Sequence, residues 1–402
     1  MQPIVSDQPY RFVSPLDNRF WQEVTRWTLP RQLRKTYGVF DIECVGAEKL
    51  KASFDAGRGI ILAPNHCRPC DPIVIDALSR KVGHPFSPMA SWHLFTGSPI
   101  QRFLIRCSGA FSIYREGQDR EALKCAIGIA AAGRRALMLF PEGFVTRCND
   151  HLLNLMDGPS FIARSAAKHR KDSKVVIHPV FVRYFFEGDL DRSITPVLES
   201  LEQRLSWKLR PQLSLRERVE QAGSALLGLK ELELMGEMRK GGLYDRSQNL
   251  LEHVLCTLQD KWIGSRLGGD PMERIKQLRG AVLREMIQGK VDADERAARW
   301  RDLADLYLAQ QLCCYPPDNY LDDPAPERLL EAVERMEEDL TDVARPHGPM
   351  RAIVMVDDPI EVGPERDRSA KQDPVTVALR ASLERMRIAS RELRRKSPSC
   401  GT

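Results

Sequence analysis

The sequence predicts an α/β fold: a mixed, largely parallel sheet covered by helices on both faces, with a large all-helical block inserted before the last strand. Three observations carry this reading. Between residues 58 and 186 short apolar runs alternate with longer amphipathic ones, the pattern of strands connected by helices. Several short runs are apolar at every position, as strands buried on both faces are. From about residue 196 the apolar spacing becomes purely helical,.

Taken in order, GIILA (59–63) reads as a strand, DPIVIDALSRKV (71–82) as a helix, and GAFSIY (109–114) as a strand. DREALKCAIGIAAAG (119–133) reads as a helix, ALMLF (136–140) as a strand, SFIARSAAKHR (160–170) as a helix and VVIHPVFVRYF (175–185) as a strand. LLEHVLCTLQDKWI, PMERIKQLRGAVLREMI, ADERAARWRDLADLYLAQQL and APERLLEAVERMEEDL then carry apolar residues at helical spacing with charges between them, most simply a bundle core,. RAIVMVDDPIEV (351–362) returns to strand character, and a basic helix closes the chain. The organisation expected is an amphipathic lead-in over 1–57, an α/β core over 58–195, a helical insertion over 196–345, a strand returning to the core over 346–365, and a basic helix and tail over 366–402.

With 402 residues, 43% hydrophobic and 29% charged, the chain is globular in composition and long enough to bury a full core,. Its net charge of +5 favours anionic partners only mildly,. Without an RNP, zinc-finger or arginine-rich signature, no nucleic-acid partner is expected. The scattered cysteines and a start (MQPIVSDQPYRF) lacking a basic and apolar leader point to a reducing cytoplasm without structural disulfides,. No apolar run reaches the roughly 18 residues a spanning helix needs, so membrane contact is expected to be peripheral. Phe20, Val24 and Trp27 share a helical face among Arg19, Arg26, Arg31, Arg34 and Lys35, which suits either an interfacial helix or one packed on the core.

The stretch ILAPNHCRPCDP (61–72) concentrates the chemistry. Asp71-Pro72 is a helix start, with Asp at the N-cap and Pro in the first turn. His66 follows a strand end, where open α/β sheets bind ligands,. If Cys67 to Pro69 form a turn, imidazole and carboxylate face each other. A carboxylate on one ring nitrogen fixes the tautomer that leaves the other free to take a proton, and such a base contributes about 10² to 10⁴ in rate. Cys67, Cys70 and His66 fall short of the roughly four ligands of structural zinc, so no metal is expected. A redox pair at a helix start remains open.

These residues resemble the HxxxxD signature of the glycerolipid acyltransferase superfamily, Asn65-His66 followed by Asp71. Three further blocks resemble the family's later motifs in order: GAFSIYR (109–115), FPEGFVTR (140–147) and VIHPVFV (176–182). VDDPIEV is similar to a strand that follows them. The resemblance implies acyl transfer from acyl-CoA or acyl carrier protein to a hydroxyl of a phosphorylated glycerol or lysophospholipid acceptor, with no other cofactor. It implies that His66 takes the hydroxyl proton and Asp71 orients it. Arg115 would hold the acceptor phosphate, Glu142 and Gly143 would shape the acceptor site, and Pro179 would border the acyl or thioester region, with Asn65 and Arg147 among the binding residues. In the third block Phe144 and Val145 stand between Gly143 and Thr146-Arg147, a departure from the family form. His178, inside a strand, reads as a sheet histidine. A non-catalytic lipid-binding protein on the same fold is the competing reading. Nothing in the sequence specifies the oligomeric state.

Overall fold

The computed structural model describes residues 5–16, 18–172, 174–315, 321–366, 369–370 and 372–394. Its eight-stranded sheet runs β1 (Val39–Val45), β7 (Met350–Val356), β6 (Val175–Phe186), β2 (Gly59–Pro64), β5 (Ala136–Met138), β3 (Phe86–Ser91) and β4 (Phe111–Ile113), with β8 (Ile360–Val362) paired to β6 outside this path. Among the described residues only the pairings of β6 with β7 and β8 are antiparallel. The fold is therefore a mixed, mostly parallel α/β sheet.

The apolar runs read as strands sit at the centre, where β2 and β6 are buried at every position. Two strands escaped the sequence reading. Strand β1 is a half-exposed edge strand without a continuous apolar run, so the lead-in over 1–57 already contributes to the sheet. Strand β3 carries Pro88, which argues against a strand in a single sequence,.

Helices α3 (Asp71–Val82), α7 (Leu190–Arg204) and α12 (Pro326–Thr341) pack on one face of the sheet through Val74, Ile75 and Leu78, Ile194 and Leu198, and Leu330 and Val333. Helices α5 (Arg120–Ala132), α6 (Gly158–His169) and α13 (Pro374–Ala389) cover the other, through Ala126, Ala163 and Leu383. Helix α7 starts from the Asp189 N-cap and runs through Pro196, so the boundary expected at 195/196 falls inside a helix. Between α7 and α12, helices α9 (Leu243–Trp262), α10 (Pro271–Ile287) and α11 (Ala293–Cys313) bury a core of their own around Leu255, Leu278 and Leu306. The segment thus divides: α7 and α12 lie on the sheet, while α9 to α11 pack on one another.

Strands β2, β3, β4, β5 and β6 are linked by parallel pairings, so their carboxyl ends open on one edge. Loops at that edge are where such sheets present ligand-binding groups.

Candidate active site

Strand β2 ends at Pro64, opposite Val180, but β6 continues to Phe186. Asn65 extends the pairing with its side chain, donating from Nδ2 to Val182 O (3.1 Å) and accepting Val182 N–H at Oδ1 (2.7 Å). Its buried amide is consumed by the main chain, so Asn65 anchors the loop rather than lining a binding surface.

The residue this anchor fixes is His66. Its Nδ1 lies 2.8 Å from Asp71 Oδ2. Asp71 is fully buried, and it accepts further bonds from Arg68 N–H (2.9 Å) and from the Tyr184 hydroxyl (2.6 Å). It is not the helix cap the sequence suggested: Cys70 holds that position without a side-chain bond, and the carboxylate turns back to the imidazole. A carboxylate acceptor keeps the proton on Nδ1, leaving the Nε2 lone pair available. No described residue bonds Nε2, and the side chain keeps 14% of its surface exposed. The ring stacks on Phe140, centroids 3.9 Å apart, which restrains its rotation.

The third sequence block holds both main-chain groups of His66. Glu142 Oε1 accepts the His66 N–H (2.9 Å), and Thr146 N–H donates to the His66 carbonyl (2.8 Å). The other Glu142 oxygen accepts Leu153 N–H (2.8 Å). Burial pushes the Glu142 carboxyl up to about 7 against the lowering effect of these two donors. Gly143 takes φ +82°, a backbone conformation that residues with a side chain rarely adopt, so the turn favours glycine,.

Arg115 donates from Nη1 to the Gly143 carbonyl (2.9 Å), which brings Arg115, Glu142 and Gly143 to the same loop system as His66. Arg279 of α10, buried and donating from Nη1 to Gln310 Oε1 (2.9 Å), senses this region through charge: burial and the charge of Arg115 hold its guanidinium down to about 10. Burial, followed by Arg115 and Arg279, pushes His93 down to about 3, so this histidine stays neutral.

Arg147 goes elsewhere. The two extra residues before Thr146 leave it at φ +59°, and its Nη2 donates to Glu338 Oε1 of α12 (2.5 Å). It lines a cavity of about 270 Å³ with Tyr37, Cys67, Arg68, Arg335 and Glu334. Pro179 lies within buried β6, paired in register with Ala63. His178 is the satisfied sheet histidine its position suggested: Nε2 meets Ser53 Oγ (2.9 Å), Nδ1 meets Asp357 O (3.1 Å), and burial lowers it to about 4.

Burial raises the Cys67 thiol well above its usual range and Cys70 to about 12, the opposite of the exposed thiolates that redox chemistry uses,. Cys67 instead points at Val182 O and Cys70 at the Tyr184 hydroxyl. Sequence reasoning missed Tyr184 and Arg279, and assigned no role of their own to Phe140 and Thr146 within the third block. Tyr184 had a signal, since it alternates with Val180 and Val182 on the face that meets α3,. Arg279 had none.

An imidazole oriented by a buried carboxylate, with its second nitrogen open at the carboxyl edge of an α/β sheet, is an arrangement that can take up a proton, and nearby guanidinium groups can pair with an anion. Residues 41–183 match the family model described as Acyltransferase. Its chemistry is acyl transfer from a donor to a hydroxyl-bearing acceptor. No curated protein matches the chain.

Proposed function

We propose that the protein is an O-acyltransferase that moves a fatty acyl group from acyl-CoA or acyl carrier protein to a glycerol-phosphate or lysophospholipid-like hydroxyl. The observation that carries this is the His66–Asp71 contact at 2.8 Å, with Asp71 held by two further donors and Nε2 left open. In this reading Nε2 removes the acceptor's hydroxyl proton as its oxygen attacks the thioester carbonyl. The new ester C–O bond forms, the C–S bond breaks, and the imidazolium returns its proton to the departing sulfur. Asp71 stabilises the transient imidazolium without taking the proton. Arg115, aided by Arg279, holds the acceptor phosphate; Glu142 and Gly143 shape that side.

The reaction is proposed to take place at a lipid surface on the cytoplasmic side. Among the described residues no helix is long and apolar enough to cross a membrane. The support comes from helix α1 (Arg19–Tyr37) and helix α4 (Pro99–Cys107), which expose Phe20, Trp21 and Val24, and Ile100, Phe103 and Leu104. Trp21 meets both Phe20 and Phe103 edge to face. Exposed Arg31, Arg34, Lys35 and Arg102 accompany them, the combination an interfacial surface uses. The side chains of Arg19, Arg26 and Trp27 lie outside the described residues, as do residues 395–402 of the basic tail.

Thiol release should be measured with acyl-CoA and acyl carrier protein against glycerol-3-phosphate, lysophosphatidate and non-phosphorylated alcohols. Release that depends on a phosphorylated acceptor is expected. Binding of acyl-CoA without turnover on any acceptor would instead identify a non-catalytic lipid-binding protein.

A further inference from the structure

Helix α12 lies outside the stretch that matches the acyltransferase family, which ends at residue 183. Leu330, Val333 and Met336 anchor it in the core on the sheet. Its charged residues face the two loops that hold His66. Glu331 accepts Asn149 N–H (3.0 Å), and Glu334 pairs with Arg68 Nη1 (2.9 Å). Arg335 donates from Nη2 to the Thr146 carbonyl (2.8 Å) and from Nη1 to Cys314 O (3.0 Å), while Glu338 takes Arg147.

Two of these contacts lead directly to the catalytic pair. The carbonyl that Arg335 holds belongs to Thr146, whose N–H donates to the His66 carbonyl (2.8 Å) and whose hydroxyl lies between that carbonyl (3.2 Å) and Cys148 O (3.1 Å). The guanidinium that Glu334 holds belongs to Arg68, whose main-chain N–H donates to Asp71 Oδ2 (2.9 Å). The Arg68 guanidinium also lies over the ring of Tyr184, the second donor to Asp71. Glu331, Arg335 and Glu338 are buried. Buried ion pairs add little net stability, because desolvation offsets the attraction, yet removing one partner is costly. Such a row on one helix is better explained by what it positions.

We propose that α12 of the helical block sets the register of His66 against Asp71, with Arg335 and Glu334 as positioning residues. The role in turnover rests on the acyl-transfer reading; the structural coupling does not, so the test has one readout of each kind. Arg335→Ala, Arg335→Lys and Glu334→Gln should be compared with the wild-type chain by amide hydrogen exchange and by steady-state kinetics. Exchange at the Thr146 and Arg68 amides is expected to quicken about tenfold while the amides of β2 and β6 stay protected. The kcat is expected to fall about 10- to 100-fold, as small misplacements of a catalytic group do, with both KM values held. Added guanidinium should restore part of the kcat of Arg335→Ala, since Arg335 lines the cavity beside Arg68.

Unchanged exchange at Thr146 and Arg68 would overturn the proposal, as would exchange that quickens equally in β2 and β6, which marks a merely structural helix. A rise in acceptor KM with kcat intact would also overturn it. If Arg335→Ala does not fold, the same readouts on Arg335→Lys and Glu334→Gln decide. If the wild-type chain transfers no acyl group, the exchange pattern still tests the coupling, separately from the reaction.

Discussion

Glu142 is pulled in opposite directions by its surroundings. Burial favours its neutral form and raises it to about 7, whereas the N–H groups of His66 and Leu153 favour the carboxylate. Between its ordinary value of 4.5 and about 7 the folded chain holds a proton that the unfolded chain has released. The neutral acid's contribution to stability is therefore fully present below about pH 4.5 and is lost as pH rises to about 7, on the order of 3 kcal/mol in all. Glu142→Gln removes this titration. It also removes an acceptor, because an amide nitrogen cannot accept, so one buried N–H loses its partner at a cost of about 1–3 kcal/mol. Denaturant unfolding measured from pH 4.5 to 7.5 should show the wild-type slope flattened in a less stable variant. Equal slopes in the two proteins would mean that Glu142 does not titrate in this window.

At the scale of elements, β6 outruns β2, and side chains complete its free edge. Asn65 pairs with Val182, Asn149 pairs with Tyr184 in the same two-bond manner, and Glu327 accepts Phe186 N–H. Buried main-chain groups need partners, and these three residues provide them while fixing the loops that carry them. Asn65, read from its motif as a binding residue, is thus explained by strand pairing. Helices α1 and α4 present the opposite case, with large apolar side chains left in solvent. If these meet a bilayer, Ile100→Asp with Phe103→Asp should cut partition onto vesicles containing acidic lipid by about tenfold or more, given the area each side chain would bury. Circular dichroism should be unchanged. Equal sedimentation of the two proteins with vesicles would remove this face from membrane docking.

Across the whole molecule, what could be read in the sequence was what depends on local pattern. Strands β2 and β6, apolar on both faces, and the helix beginning at Asp71-Pro72 announce themselves. So does the pairing of His66 with Asp71, five positions away in the chain. The partners that arrive from far along the chain stayed hidden. Arg147 meets Glu338 across 191 positions, and nothing near either residue predicts the other. In α12 the charged residues between the apolar ones carry no local sign of their surroundings, yet Glu327, Arg328, Glu331, Arg335 and Glu338 are buried. Charge alternation reports helical periodicity and not which face meets water. The central claim remains the base at the mouth of β2. It is tested most directly by acceptor-dependent thiol release in His66→Ala, compared with wild type at equal folded concentration. A loss of about 10² to 10⁴ in rate is predicted; a folded variant releasing thiol at the wild-type rate would contradict it.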